Sequence, residues 1–266
     1  VRSRRQRQMC IRDRITSNCF ILSILSFGYR IEWDPKEGEP QRCDLPNHPS
    51  AYENADFTTE AVADGVRTGA MREFPEKDAH NIMPIHIDVR SKNGKKRFCH
   101  DCRFINKYIM KIKFKMESLN QEGRDLFADC CCGWVADLSQ AYYHIEIDKR
   151  YWKYLCFRWN GKVYCFTVLP FGIRSAPRVF TLIVKVMLRH WREEFGVRVM
   201  GFIDDMIGGA VTPELASAQS RLVVSHLRSL GWVMQQKKLV GIPAALPEIE
   251  GLGCLINFPA SRFKPT

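Results

Sequence analysis

The stretch VMGFIDDMIGGA, residues 199–210, decides the fold. Two short apolar runs, Val199–Ile203 and Met206–Ala210, flank the acidic pair Asp204-Asp205. Apolar runs of this length, broken by turn-forming residues, predict a β-hairpin. Asp is an ordinary turn residue, and turn chemistry alone would account for the pair. Two adjacent carboxylates between hydrophobic strands, however, repel each other where water is scarce. A divalent cation relieves that repulsion, and hard Mg²⁺ prefers such oxygen ligands. Upstream, Trp134-Val135-Ala136-Asp137-Leu138 predicts a further apolar strand that ends in a carboxylate. If that strand pairs beside the hairpin, facing side chains fall about 5 Å apart. Three acids, Asp137, Asp204 and Asp205, then converge on one sheet end. That is the donor set for two metal ions about 4 Å apart and for in-line phosphoryl transfer.

The flanking chain supplies helices and more hairpins. Ser175-Ala176-Pro177 predicts a helix start, with Ser as cap and Pro in the first turn. Phe180, Ile183, Val184, Met187, Leu188 and Trp191 then form one apolar face, closed by Gly196. Thr212-Pro213-Glu214 opens a second helix, with Leu215, Leu222, Val223, Leu227 and Leu230 expected inward and Gly231 at its end. Nearer the N-terminus, Ile85, Ile87 and Val89 alternate with polar residues. Asn93-Gly94 then turns the chain toward Arg97, Phe98 and Cys99. Residues 151–168 alternate aromatic and polar residues around Asn160-Gly161, again a hairpin pattern. A helix is expected from Thr58 toward Phe74, and residues 34–56, punctuated by five Pro and Gly, read as loop. Strands and helices mix without regular alternation, so the fold class is α+β with an antiparallel sheet.

Composition narrows the function classes. Of 266 residues, 45% are hydrophobic and 26% charged, which is a folding composition and not that of a disordered tail. The net charge of +11 favours a polyanionic partner. Residues 1–14 carry six Arg and one Asp, and they show neither apolar period nor turn chemistry. They read as a non-native or artefactual arm, which leaves +6 for the rest. Eleven cysteines, an odd number with three adjacent at Cys130–Cys132, point to reduced intracellular thiols rather than a disulfide scaffold. The apolar run from Ile15 to Phe27 is too short for a membrane span of about 20 residues. No small-residue cleavage site follows it.

In order and spacing, VADLSQAYYHIEI (135–147), LPFGIRSAPRVF (169–180), GFIDDMIGG (201–209), LGWVMQQKKL (230–239) and GLGCLINF (251–258) resemble the motifs of retroelement reverse transcriptases. RFCHDCRFINK (97–107), preceded by KNGKK, is similar to the fingers motif of the same enzymes. The likeness spans about residues 56–258. SAPRVF and ILSILSFGYRIEW (21–33) are similar to the tyrosine-recombinase, DIRS-like group. The resemblance implies a right-hand polymerase of fingers and palm, with the thumb largely missing. Its segments would be an N-terminal extension at 15–55, fingers at 56–112 with 145–175, palm at 113–144 with 176–258, and the start of a thumb at 259–266.

The same resemblance assigns roles by position. Asp137, Asp204 and Asp205 match the metal-binding acids, and Leu138 would add a backbone carbonyl. Arg97 matches an arginine that holds the incoming triphosphate, a task suited to a guanidinium fork. Arg90, Lys92, Lys95 and Lys96 would assist it, or simply form a solvated hairpin. Tyr142 matches the aromatic floor under the sugar, with core packing beside Tyr143 as its plainer explanation. Phe171-Gly172 matches the loop against the nascent base pair. Lys238 matches a lysine that assists pyrophosphate departure, with Lys237 in competition. The implied activity is RNA-directed DNA polymerisation with two Mg²⁺ ions, or Mn²⁺ in their place. The implied partners are dNTP and an RNA or DNA template with its primer, within a polyprotein that also carries ribonuclease H and recombinase or integrase modules. Gly251 departs from the pattern, standing where an aromatic often precedes Leu-Gly. Cys99-His100-Asp101-Cys102 contains a CxxC, but the Cys130–Cys132 run lacks matching spacing, which disfavours zinc. Three rivals stand beside this expectation: an RNA-dependent RNA polymerase, against which Tyr142 speaks; a decayed product that binds nucleic acid without catalysis; and a zinc-dependent interaction module.

Overall fold

The structure, a computed structural model, describes residues 15–89, 94–119, 121–242 and 244–265. The basic arm at 1–14 and the hairpin-tip residues Arg90 and Lys92 lie outside the described residues. In chain order the first elements are α1 (Cys19–Phe27), β1 (Cys43–Asp44), α2 (Pro49–Glu53), α3 (Ala55–Thr68), β2 (Met71–Glu73) and β3 (Asn81–Ile82). Next come β4 (Ile85–Val89), β5 (Lys96–His100), α4 (Gln121–Leu126), β6 (Cys132–Asp137), β7 (Cys156–Trp159) and β8 (Lys162–Phe166). The last are α5 (Ala176–Phe195), β9 (Arg198–Phe202), β10 (Asp205–Ala210), α6 (Pro213–Ser229), β11 (Glu248–Gly251), β12 (Cys254–Asn257) and β13 (Arg262–Pro265). The mixed α+β class expected from the sequence is the one observed.

The chain divides into two compact units. Of the described residues, one comprises those within 15–22, 114–141 and 178–265; the other comprises those within 23–113 and 142–177.

The first unit is built on a three-stranded antiparallel sheet in the order β6-β10-β9. Its strands alternate, so each face buries its own set of side chains. On one face Val135, Ile207 and Met200 stand in register and join Phe127, Ile249, Ile256 and Phe258 in a buried cluster. Phe127 and Phe258 meet edge to face at 5.9 Å. Fully burying one such side chain contributes about 1.5–3 kcal/mol. On the other face Gly208 lies opposite Trp134. A Cβ at 208 would come within 2.1 Å of the indole ring, so only glycine lets the ring lie flat on the strand. Residues 248–265 form a separate sheet, β11-β12-β13.

The second unit carries a five-stranded sheet in the order β1-β3-β7-β8-β2 and the separate β4–β5 hairpin. The turn between β7 and β8 is Asn160-Gly161, with φ of 47° and 71°, as expected of an Asn-Gly hairpin.

Four local expectations need correction. The helix expected from Thr58 toward Phe74 begins at Ala55 and stops at Thr68. Gly69 caps it in the left-handed region at φ 78°, and Met71–Glu73 goes on as a strand. The supposed loop at 34–56 contains the short helix α2 and strand β1. Ser175 does not cap α5, since its hydroxyl is buried without a hydrogen-bond partner. Leu215 is exposed, because the inward face of α6 is set by Ala216, Val223 and Leu227. Thr212, by contrast, caps α6 as expected, accepting from the Leu215 N–H at 3.2 Å.

Candidate active site

The acids meet through sheet register. Asp137 closes β6 and Asp205 opens β10, and the two are direct cross-strand partners. Asp204 sits in the two-residue turn between β9 and β10, where its carbonyl accepts the Leu138 N–H at 3.0 Å. The turn's other residue, Ile203, adopts φ 55°. A β-branched side chain in the left-handed region is strained, and strain of this kind gathers at functional turns.

A second segment docks on the outer edge of β6. Val135 pairs with Val240, Leu138 with Met234, and the Gln235 N–H donates to the Asp137 carbonyl at 2.9 Å. This brings the 3₁₀ turn Gln236–Lys238 alongside the acids. The Lys238 ammonium donates to Asp137 Oδ2 at 2.6 Å. Asp137 is 1% exposed, and its other oxygen, Oδ1, has no hydrogen-bond partner.

The electrostatics follow from that crowding. Burial pushes the Asp205 carboxyl up to about 7, reinforced by the adjoining Asp137 side chain and the Asp204 charge and opposed by Lys238. Burial also raises Asp204, with the Asp137 charge adding to it; a hydrogen bond to its own backbone and Lys238 pull the other way. The Asp137 hydrogen bond raises Lys238. The cluster is therefore short of positive charge: one ammonium stands against three carboxyls.

The expected metal donor set is met only in part. Among the described residues no group of three or more His, Cys, Asp or Glu side chains is gathered tightly enough to hold a metal ion. The backbone register brings the acids together, the Asp205 and Asp137 side chains lie within hydrogen-bonding reach of each other, and Lys238 occupies one Asp137 oxygen. The donor chemistry still fits a hard cation. The oxygens are carboxylates, one of them is buried and unpartnered, and burial beside two other acids raises the proton affinity of Asp205. The CxxC forms no such cluster either: Cys99 is half-buried and Cys102 fully buried. All ten described cysteines are free.

Arg97, Tyr142, Phe171 and Gly172 belong to the second unit. Arg97 lies on β5 opposite Asp88, exposed, with no ion pair among the described residues. Tyr142 is 7% exposed in the turn Ala141–His144, and its ring packs on Phe171 at 4.8 Å. Phe171 itself is 47% exposed. Gly172 has φ 100°, and a Cβ there would meet the His100 carbonyl at 2.9 Å, so this position requires glycine.

Two supporting residues escaped the sequence reading. Asn106 holds the Phe171-Gly172 loop, donating to the Gly172 carbonyl and accepting from the Arg174 N–H, each at 2.8 Å. Its only signal was its place in RFINK. Glu117 takes Arg192 in a two-pronged pair at 2.9 and 2.8 Å and also accepts the Gly201 N–H at 3.0 Å, pinning the edge strand β9. Nothing in the sequence singled Glu117 out.

The fold is a mixed α+β one that brings three acids to one end of an antiparallel sheet. Residues 89–254 match the reverse transcriptase (RNA-dependent DNA polymerase) family, which is more than half of the chain, and the protein belongs to that family. It is 23% identical over 205 residues to the transposon Tf2-3 polyprotein of Schizosaccharomyces pombe, a match covering 75% of this chain and 14% of the relative. It is 25% identical over 207 residues to the Gag-Pro-Pol polyprotein of human T-cell leukemia virus 2, covering 74% and 13%. The chain thus spans about a seventh of the length of these relatives. Its fold is similar to that of prototype foamy virus protease-reverse transcriptase, with a TM-score of 0.64, 22% identity, and coverage of 90% of this chain and 30% of that one. A foamy viral protease-reverse transcriptase in complex with double-stranded DNA gives a TM-score of 0.65 at 20% identity, covering 92% and 38%. No helix among the described residues is long and apolar enough to cross a membrane.

Proposed function

We propose that this chain is the polymerising part of a retroelement polyprotein and that it extends a primer with dNTPs on an RNA template. The single observation that carries the proposal is the register pair Asp137–Asp205, with a buried unpartnered oxygen at one member and a raised proton affinity at the other. Asp137, Asp204 and Asp205, with the Leu138 carbonyl, would hold two Mg²⁺ ions, or Mn²⁺ in their place. When bound, the ions supply the positive charge that activates a primer 3′-hydroxyl and stabilises departing pyrophosphate. The chain's own residues do the rest. Arg97 grips the triphosphate, Tyr142 supports the sugar, and the Phe171-Gly172 loop meets the new base pair. Lys238 supplies a proton or charge toward the leaving group. The net positive charge attracts template and primer through their phosphates. Ribonuclease H and recombinase or integrase modules would belong to other parts of the polyprotein. The tyrosine-recombinase subgroup rests on SAPRVF and ILSILSFGYRIEW alone.

Primer extension on an RNA template with dNTPs and Mg²⁺ tests this, run beside Asp205→Asn. That change preserves shape and removes charge. Extension is expected to fall by orders of magnitude, while template–primer binding, dominated by phosphate contacts, stays within a few-fold. Equal extension by both proteins rejects the assignment. Template binding without extension by the unmodified chain would favour a decayed, binding-only product.

A further inference from the structure

The Lys238 side chain reaches across from an edge segment to a carboxylate that solvent hardly touches. Asp137 is 1% exposed, whereas the Lys238 side chain is 53% exposed. The pair is therefore asymmetric. The carboxylate cannot leave, because its own carbonyl and strand are fixed: the Gln235 N–H donates to the Asp137 carbonyl at 2.9 Å, and Asp137 is locked in register with Asp205. The ammonium can leave, because only a flexible four-carbon stem holds it there. The backbone beneath it stays put, with the Lys238 N–H bonded to the Gln235 carbonyl at 2.9 Å.

Each side of the Asp137 carboxylate has a different status. Oδ2 is taken by Lys238, and Oδ1 is buried and unpartnered. A buried carboxylate with no counter-charge is costly, so something positive must sit there in the metal-free chain. Lys238 is the only cation among the described residues paired with it. An ammonium and a dication on the two oxygens of one buried carboxylate would repel each other strongly in such a poorly solvated place. The two are alternatives.

We infer that Lys238 is a resident counter-ion of the acid site: it neutralises Asp137 while no metal is bound and is displaced when a divalent cation takes the carboxylate. This rests on the metal-ion reading proposed above. After displacement the freed ammonium remains tethered beside the acids by the 3₁₀ turn. The lysine's charge thus passes between two states of the site.

The full chain is labelled with an amine-acylating reagent, with and without Mg²⁺, and the rates at Lys238 and Lys237 are compared by peptide mass spectrometry. Lys237 neighbours Lys238 and makes no ion pair among the described residues, so it is the internal control. Lys238 labelling is expected to rise about fivefold on adding Mg²⁺, with Lys237 unchanged. In parallel, Mn²⁺ affinity is measured by calorimetry for the unmodified chain, Lys238→Gln and Asp205→Asn. Lys238→Gln keeps a donor to Oδ2 and drops the charge, so Mn²⁺ should bind about tenfold more tightly, equivalent to about 1.4 kcal/mol. If Mn²⁺ binds and Asp205→Asn weakens it, but Lys238 labelling does not rise, the displacement is wrong and the metal site stands. If Asp205→Asn binds Mn²⁺ as well as the unmodified chain, the metal-ion reading falls and the inference falls with it.

Discussion

Two carboxylates, the buried Asp148 of one unit and the half-buried Asp205 of the other, have opposite fates. Asp148 in the second unit is surrounded by cations. It accepts from Arg150 Nη2 at 2.7 Å, from Arg150 Nε and Arg30 Nε each at 3.2 Å, and from the Arg150 N–H at 3.1 Å. The Arg150 hydrogen bonds hold its carboxyl down at about 2. Asp205 in the first unit shares one lysine with two other acids, and burial drives it up to about 7. Both follow from the same physics of desolvation against counter-charge. The difference is that Asp148 has its counter-charges built in and Asp205 does not. A fold that needed only stability would not leave three acids to one ammonium. The deficit marks a place where the missing charge comes from outside.

The largest expected effects fall on Asp205. In metal-free buffer Asp205→Asn should keep or raise the Tm even as it abolishes extension, because it removes repulsion rather than a partner. The sign follows from proton binding. A carboxyl raised in the folded state binds more protons there than in the unfolded chain, so its contribution to stability grows as pH falls from above 7 toward 4 and is lost as pH rises through 7. Thermal melts from pH 8 to pH 5 should show that slope in the unmodified protein and a flatter one in Asp205→Asn. A clear Tm loss at pH 8 in the variant would make Asp205 a structural acid like Asp148.

Asp148 should behave in the opposite way. Its lowered carboxyl favours the folded state above about pH 4, and that stability is lost as pH falls toward 2. Asp148→Asn should cost about 1 kcal/mol at pH 7 once the exposure of its arginine partners is discounted. The variant should also lose the acid limb between pH 4 and 2 that this group contributes. Denaturant melts at pH 7 and pH 3 check both, and an equal cost at the two pH values would refute the ion-pair origin.

Tyr142 sharpens the contrast from the side of substrate. Its ring is buried on Phe171, which core packing alone would produce. As the floor under a nucleotide sugar it would instead exclude a 2′-hydroxyl by clash. Tyr142→Val should then raise ribonucleotide incorporation relative to deoxynucleotide by about tenfold or more, and Tyr142→Phe should change the ratio little. Kinetic efficiencies for one dNTP and its matching rNTP decide it: an unchanged ratio with a lower Tm leaves only packing.

Local chemistry made much of this molecule legible in the sequence. The β9–β10 and β7–β8 hairpins are written in alternation and turn residues, and Asp137 could be set beside Asp205 because strand ends pair in few ways. What stayed hidden depends on contacts between segments far apart in the chain. Lys238 reaches Asp137 only because Met234, Val240 and Leu246 bridge to β6 and the residue after it, which no periodicity around them announces. Glu117 matters only once Arg192 and Gly201 are folded against it. The misplaced end of α3 is a local failure: the helix was expected to run toward Phe74, but Gly69 turned the chain first.

The smallest expected effect completes the comparison. Lys162 and Glu73 form an ion pair at 2.8 Å, as short as the contacts that hold Asp148. Their side chains are 56% and 60% exposed, against 9% for Asp148. If distance ruled, losing either pair would cost the same. Water screens the exposed pair, and two long side chains give up rotamer freedom to make it, so those terms nearly cancel. Lys162 also lies on β8 opposite Trp159, and a lysine's aliphatic stem can cover apolar surface without its charge. Lys162→Met keeps that stem and removes the ammonium. The Tm should therefore move by less than about 2 °C, and by the same small amount at low and high salt. A loss as large as that of Asp148→Asn, shrinking as salt is added, would show that pair geometry rather than burial sets the worth of a carboxylate in this fold. The contrast between Asp148 and Asp205 would then have to be reread on those terms.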